Sequence, residues 1–220
     1  MKSMDIRFKH SIQPFTELES ETINGKRKYV TPDGNFPSIT TILGKKKAKF
    51  FKEWRKRIGE EEANKITTRA TRRGTGMHKV VERYINNECD YYGDATPNVR
   101  EMFLSIKSVI DTNMDNIHGI EVPLWSKQLG VAGRCDCIAE WNGKLSIIDW
   151  KTSGKYKKEE WVEDYFLQGT FYSIAYEELT KTPIDNIVIV VAVENDLPQV
   201  FIKQTPNYWS LLEETVQNYG

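Results

Sequence analysis

Asp136, Asp149 and Lys151 flank the dipeptide Asn142-Gly143, and their spacing is the feature of this chain most suggestive of chemistry. Asn-Gly between two apolar runs favours a two-residue type I′ turn, in which both central residues need positive φ. Such a turn sets Trp141 against Lys144 and pairs residues whose numbers add to 285, so Asp136 falls opposite Asp149. Outward from the turn this is a non-hydrogen-bonded position, with α-carbons expected about 4.5 Å apart. Two carboxylates placed there repel each other, and a shared divalent cation reverses the sign of that interaction. Lys151, two residues beyond Asp149, projects from the same face. Two facing acids and an ammonium group suit metal-dependent hydrolysis.

A D-x-K tripeptide is common by chance, and surface hairpins often carry acids and lysines on a solvated face. The neighbours argue otherwise. Leu145 and Ile147 share the face of Asp149, and Ile138 that of Asp136, while Cys135, Cys137, Ala139, Ile148 and Trp150 are expected on the other. Apolar residues on both faces predict a central strand covered from both sides. Charges in that setting are costly unless paired or metal-bound.

The elements that must hold these residues follow from the rest of the chain. At 220 residues, with 39% hydrophobic and 28% charged, it suits one sizeable domain over 1–220 with a proper core, and disorder as the main state is excluded. No apolar stretch approaches the roughly 18 residues of a membrane span, so no membrane partner is expected. The segment Met1–His10 has neither a secretion core nor a convincing transit pattern. Three cysteines, two of them flanking Asp136, read as small core residues of a reducing compartment and make an iron–sulfur cluster or four-cysteine zinc site within this chain unexpected.

Net charge is zero, but it is unevenly spread. Gly44 to Arg83 holds 14 Lys or Arg against 5 Glu, a surplus of nine positive charges. That asymmetry suggests a face for an anionic polymer, with a solvated basic helix as the alternative.

Residues 1–37 read as a short-stranded entry, with a hairpin at Asn24-Gly25 and a turn at Pro32-Asp-Gly34. Ser38 is the expected cap of a first helix, and Lys45–Ala63 reads as a basic helical region displaying Phe50, Phe51 and Trp54. Further helices are predicted over Thr71–Asn86, from Thr96-Pro97, over Lys158–Thr180 and over Asn207–Tyr219. Strands are predicted at 118–127, 132–141, 144–152, 186–194 and 199–204. The order argues for an α/β fold in which a mixed sheet, 118–204, is flanked by helices, with a helical elaboration over 38–113.

Pro37-Ser-Ile-Thr-Thr-Ile-Leu43, Gly74-Thr-Gly-Met-His78 with Glu82, Glu121, Gly133-Arg-Cys-Asp136, Ile148-Asp149-Trp-Lys-Thr-Ser153 and Gln168-Gly-Thr-Phe-Tyr172 follow one another over most of residues 37–172. In that order they resemble the PD-(D/E)XK nuclease superfamily, particularly its RecB-like branch with the mitochondrial genome maintenance exonucleases and their phage and bacterial relatives. The resemblance implies a restriction-endonuclease-like core in which Asp136, Asp149 and the Trp150 backbone carbonyl bind Mg²⁺, with Mn²⁺ substituting. It makes His78 a further ligand, with Glu82 either orienting it or facing solvent. Glu121 is then an acid near the metal or a buried salt-bridge partner. Lys151 would orient or deprotonate water, the latter if its pKa is depressed, or stabilise phosphate charge. Gln168 and Tyr172 line the site near the phosphate or form a packing face.

Trp54, Arg55, Arg57, Arg72 and Arg73 would bind DNA, with Trp54 the leading residue to stack on bases; Phe50 and Phe51 could stack as well, although aromatics at this spacing are more often core; Thr152 and Ser153 would donate to phosphate or cap the strand. The implied activity is an exonuclease on single-stranded DNA ends in replication, recombination or repair, with replication or recombination proteins as possible partners and the cytoplasm of a bacterium or phage-infected cell as location. A structure-specific endonuclease or nickase keeps the same chemistry, and a non-catalytic nucleic-acid-binding protein would keep only the fold.

Overall fold

The structure is a computed structural model that describes residues 7–23 and 26–219. Three short strands, β1 (Glu19–Ile23), β2 (Lys26–Thr31) and β3 (Gly34–Pro37), form an antiparallel sheet of their own. The Asn24-Gly25 turn lies outside the described residues, although Ile23 and Lys26 on either side of it are paired. Helices α1 (Ile39–Ile58), α2 (Glu60–Ile85) and α3 (Pro97–Asn113) follow. The main sheet holds β4 (Met114–Ser126), β5 (Val131–Trp141), β6 (Lys144–Ser153), β7 (Asn186–Val193) and β8 (Gln199–Gln204) in spatial order. Helix α4 (Glu163–Thr180) carries the chain from β6 to β7, which run parallel, while the other neighbours are antiparallel. Helix α5 (Trp209–Gln217) follows.

This is the expected mixed sheet with helices on both faces. Met77, Val80 and Val81 of α2 and Phe103 and Ile106 of α3 pack with Cys137, Ile148 and Trp150 on one side. Ile39 and Ile42 of α1 and Phe171 and Tyr172 of α4 pack with Ile138 and Ile147 on the other. Strand β7 is buried along its whole length, which is why Ile187 to Val193 form an unbroken apolar run rather than an alternating one. Among the described residues no helix is long and apolar enough to cross a membrane.

Several boundaries differ from the sequence reading, each for a local reason. Gly59, at φ 89°, breaks the basic helical region, and α2 then runs unbroken from Glu60, eleven residues before the predicted start at Thr71. The Gly76 hydrogen permits close packing of α2 on α3, since a Cβ there would lie 3.1 Å from Val99 Cγ2. Ser38 starts α1 through its carbonyl, but its hydroxyl bonds to Thr40 Oγ1 instead of capping the helix. Strand β4 begins at Met114 because α3 passes into it without a turn, and two register shifts near Ile117 absorb the mismatch.

Candidate metal centre and its cleft

The Asn142-Gly143 turn has the two positive φ values that type I′ requires, 51° and 73°. The β5–β6 register follows the expected rule from Trp141–Lys144 to Cys137–Ile148 and stops there, short of Asp136 and Asp149. On the other side of β5, Ile120 pairs with Cys137 and Val122 with Cys135, with a gap between at Glu121 and Asp136. Asp136 therefore sits at an interruption of both ladders, and its Oδ2 accepts the Trp150 N–H at 2.9 Å. The interruption also overturns the expectation that Cys135 and Cys137 share a face. Cys135 packs with Ile39 and Tyr172, Cys137 with Met77 and Trp150.

Glu121 completes the break. Its φ of 50° lies in the left-handed region, uncommon for a residue with a Cβ and worth about 1–3 kcal/mol of strain. Its carbonyl is turned to accept the Arg134 guanidinium at 2.6 Å. His78 reaches the same place from α2. His78 Nε2 lies 2.8 Å from the Trp150 carbonyl oxygen and Nδ1 3.7 Å from Asp136 Oδ2. His78, Glu121 and Asp136 each offer a ligand atom, all within 4.8 Å of one another. The partner that orients His78 is thus Trp150, not Glu82.

Asp149 and Lys151 adjoin this cluster. Asp149 is 1% exposed, and the Lys151 ammonium donates to its Oδ1 at 2.6 Å. Asp149 Oδ2 also lies 2.5 Å from Nζ, but the contact is too poorly directed for a hydrogen bond, leaving a buried oxygen with no hydrogen-bond partner. Lys151 also approaches Gln168 Oε1 at 3.5 Å and lies 5.1 Å from the Tyr165 ring centre. Gln168 Nε2 donates to the Tyr172 hydroxyl at 3.2 Å. Tyr172 occupies space that Gly133 leaves open.

The electrostatics are those of acids gathered out of water. Burial, reinforced by Asp136, pushes the Glu121 carboxyl up to about 7. Burial raises Asp149 too, against the pull of Lys151. Burial alone would lower Lys151, but Asp149 and Asp136 outweigh it and hold the ammonium protonated. In the fold without a cation Lys151 is thus an ammonium group, the form that donates a proton rather than accepting one. One imidazole nitrogen and several carboxylate oxygens, one lacking a hydrogen bond, fit a hard divalent cation.

These groups line a cleft of about 390 Å³. His78, Glu121, Asp136, Lys151, Gln168 and Tyr172 come together there, and Asp149 lies directly behind Lys151. The sequence reading missed Arg134, Arg27 and Tyr29, which also line it. Arg134 was findable, standing two residues before Asp136 on the same strand; Arg27 and Tyr29 arrive from the small sheet, whose placement no local pattern announces.

The expected DNA-binding residues scatter. Phe50 and Phe51 are 63% and 47% exposed, not core, and Trp54 is half-buried edge-on to Phe51. Arg57 is exposed, whereas Arg55 is engaged by Glu60 and Asn64, and Arg73 by Glu194 at 3.0 Å. Arg72 lines a different groove. The Ser153 hydroxyl bonds to the backbone of Lys155, and Thr152 is half-buried near Gly74.

Residues 96–217, more than half of the chain, match the family model described as the PD-(D/E)XK nuclease superfamily. That span includes every cleft acid and Lys151 but not His78. Mitochondrial genome maintenance exonuclease 1 of Mus musculus is 27% identical over 153 residues, covering 66% of this chain and 44% of the relative. Its Xenopus tropicalis counterpart is 27% identical over 179 residues, covering 76% and 51%. This chain thus spans about half the length of these relatives or less. A crystal structure of a provisionally assigned exonuclease from Eubacterium rectale aligns at 13% identity with a TM-score of 0.45, covering 67% of this chain and 66% of that one.

Proposed function

This chain belongs to the PD-(D/E)XK nuclease superfamily, and on that premise we propose that it is a Mg²⁺-dependent exonuclease acting on single-stranded DNA ends. The observation that carries the reading is the meeting of His78, Glu121 and Asp136 beside a buried Asp149–Lys151 pair in one open cleft. His78, Glu121, Asp136 and Asp149 would hold the cation, joined by the Trp150 carbonyl, and Mn²⁺ would serve in its place. When bound, the cation supplies a Lewis acid that acidifies water and offsets charge on the phosphate.

The chain's own groups supply the rest. Lys151, kept protonated by two carboxylates, balances phosphate charge and orients water rather than removing a proton. Tyr172 accepts from Gln168, so its own hydroxyl hydrogen is free to donate toward a phosphate oxygen. Arg134 and Arg27 extend the positive lining. Trp54 with exposed Phe50 and Phe51 offers aromatic faces for unpaired bases, and Arg57 a phosphate contact. Thr152 would donate to a phosphate, whereas Ser153, Arg55 and Arg73 are engaged by Lys155, by Glu60 and Asn64, and by Glu194.

The exonuclease relatives support end-directed cleavage and DNA as substrate. Work with replication or recombination proteins, in the cytoplasm of a bacterium or phage-infected cell, belongs to the same proposal. The test is digestion of end-labelled linear and circular single strands in Mg²⁺ or EDTA. Linear strands should shorten from an end only with Mg²⁺ while circles survive. Cut circles would make the protein an endonuclease, and tight binding without turnover a non-catalytic binder.

A further inference from the structure

A groove of about 1030 Å³ runs along another flank of α2, away from the cleft. Lys65, Thr68, Arg72, Thr75 and Lys79 line it at alternating steps of three and four residues, and Arg83 continues the row. Such spacing keeps one helix face, and Lys65 to Arg83 spans about 27 Å at 1.5 Å per residue. Lys79 follows His78 directly, so the row is turned about 100° around the helix from the cleft.

A solvated basic helix would look similar in sequence, but two features set this row apart. It forms one wall of a concavity whose other wall is Tyr92 to Val99. Its charges are also incompletely matched. Glu61 pairs with Lys65, and Asp94 lies 3.8 Å from Arg83, whereas among the described residues Arg72 and Lys79 have no carboxylate within ion-pair distance. Cations alternating with hydroxyls suit phosphate oxygens, which accept from both without regard to base. The groove also abuts the catalytic strand. A Cβ on Gly74 would lie 3.9 Å from Thr152 Oγ1, one residue beyond Lys151, and Thr75 is the next residue of the row.

We propose that this groove holds the phosphate backbone of the strand where it continues beyond the cleft, a second binding site separate from the one where cutting occurs. The proposal rests on the nuclease reading, but its test does not need catalysis. Binding of a long single strand and of a hexanucleotide is measured by fluorescence anisotropy in EDTA across a salt series, for the wild type and for Arg72→Ala with Lys79→Ala. Each lost phosphate contact on a single strand lowers the salt slope by about 0.7, so the double variant should lose about 1.4 on the long strand. The hexanucleotide should keep its slope, and the charge-retaining pair Arg72→Lys with Lys79→Arg should restore the long-strand value. An unchanged long-strand slope, or equal losses on both lengths, overturns the proposal. Long-strand binding that behaves as expected in a protein unable to cut with Mg²⁺ would instead reject the nuclease reading alone.

Discussion

His78 Nε2 lies 2.8 Å from the carbonyl oxygen of Trp150, the residue between Asp149 and Lys151. A carbonyl only accepts, so Nε2 carries the hydrogen in this contact, and in the neutral ring Nδ1 keeps its lone pair facing Asp136. The tautomer suited to ligating a cation is therefore selected by the strand that bears the acids. Replacing His78 by Ala should weaken Mn²⁺ uptake by about tenfold or more while the protein stays folded. Isothermal calorimetry reads this directly, and wild-type affinity in the variant would remove His78 from the ligand set.

Glu121 makes the metal-free fold sensitive to pH. Its folded pKa of about 7 stands above the ordinary 4.5, so the folded state holds a proton that the unfolded chain releases between those values. Stability from this group is present in full below about pH 4.5 and is lost as pH rises through about 7. Asp149, also raised by burial, acts in the same direction. In EDTA, Glu121→Gln should melt at a higher temperature than wild type at pH 8, with the difference shrinking toward pH 5. Mg²⁺ should close the gap at pH 8 by stabilising the wild type. A difference independent of pH would show that Glu121 ionises freely in the folded protein.

The part of this site legible in the sequence was the part fixed by local rules. Asn142-Gly143 sets its own dihedral signs, and a two-residue turn leaves one register, so the near-opposition of Asp136 and Asp149 could be read from numbers alone. The interruption at Asp136 could not be. It depends on the left-handed backbone of Glu121, and a glutamate gives no warning of that conformation as a glycine would. The start of α2 is hidden in the sequence because residues 60–70 show little apolar periodicity, Ala63 being the one fully buried residue there. Hydrophobicity alone leaves Phe50 and Phe51 open between core and base stacking; they extend beyond the packed start of α1, where Ile39, Ile42 and Leu43 are its buried residues.

Lys151 and Asp149 should separate stability from catalysis. Lys151→Ala leaves a carboxylate with 2% side-chain exposure and no counter-charge. Removing one member of a buried pair costs about 3–5 kcal/mol, here expected in EDTA and partly recovered with Mg²⁺. Nuclease activity should nonetheless fall about 10²-fold or more even with saturating Mg²⁺, because the group proposed to balance phosphate charge is gone. Urea melts with and without metal, run beside single-turnover cleavage, distinguish the two effects. Full activity in the variant would place the phosphate elsewhere.

Gly133 tests how tightly the Tyr172 side of the cleft is built. A Cβ at this position would lie 2.9 Å from Tyr172 Cε1 and 3.1 Å from Ile39 Cγ2. Tyr172 is 1% exposed and packed in the core, so its ring cannot swing away into solvent. Gly133→Ala should therefore cost about 1–3 kcal/mol through overpacking and drag the Tyr172 hydroxyl away from Gln168. The cation ligands are untouched, so cleavage should slow while Mn²⁺ affinity holds. Gly44→Ala is the matching control: nothing lies within 4 Å of its Cβ, and its place inside α1 predicts a slight gain, up to about 1 kcal/mol. Equal melting temperatures for the two variants would mean that Tyr172 yields without cost, and that its hydroxyl is not held in place for the phosphate.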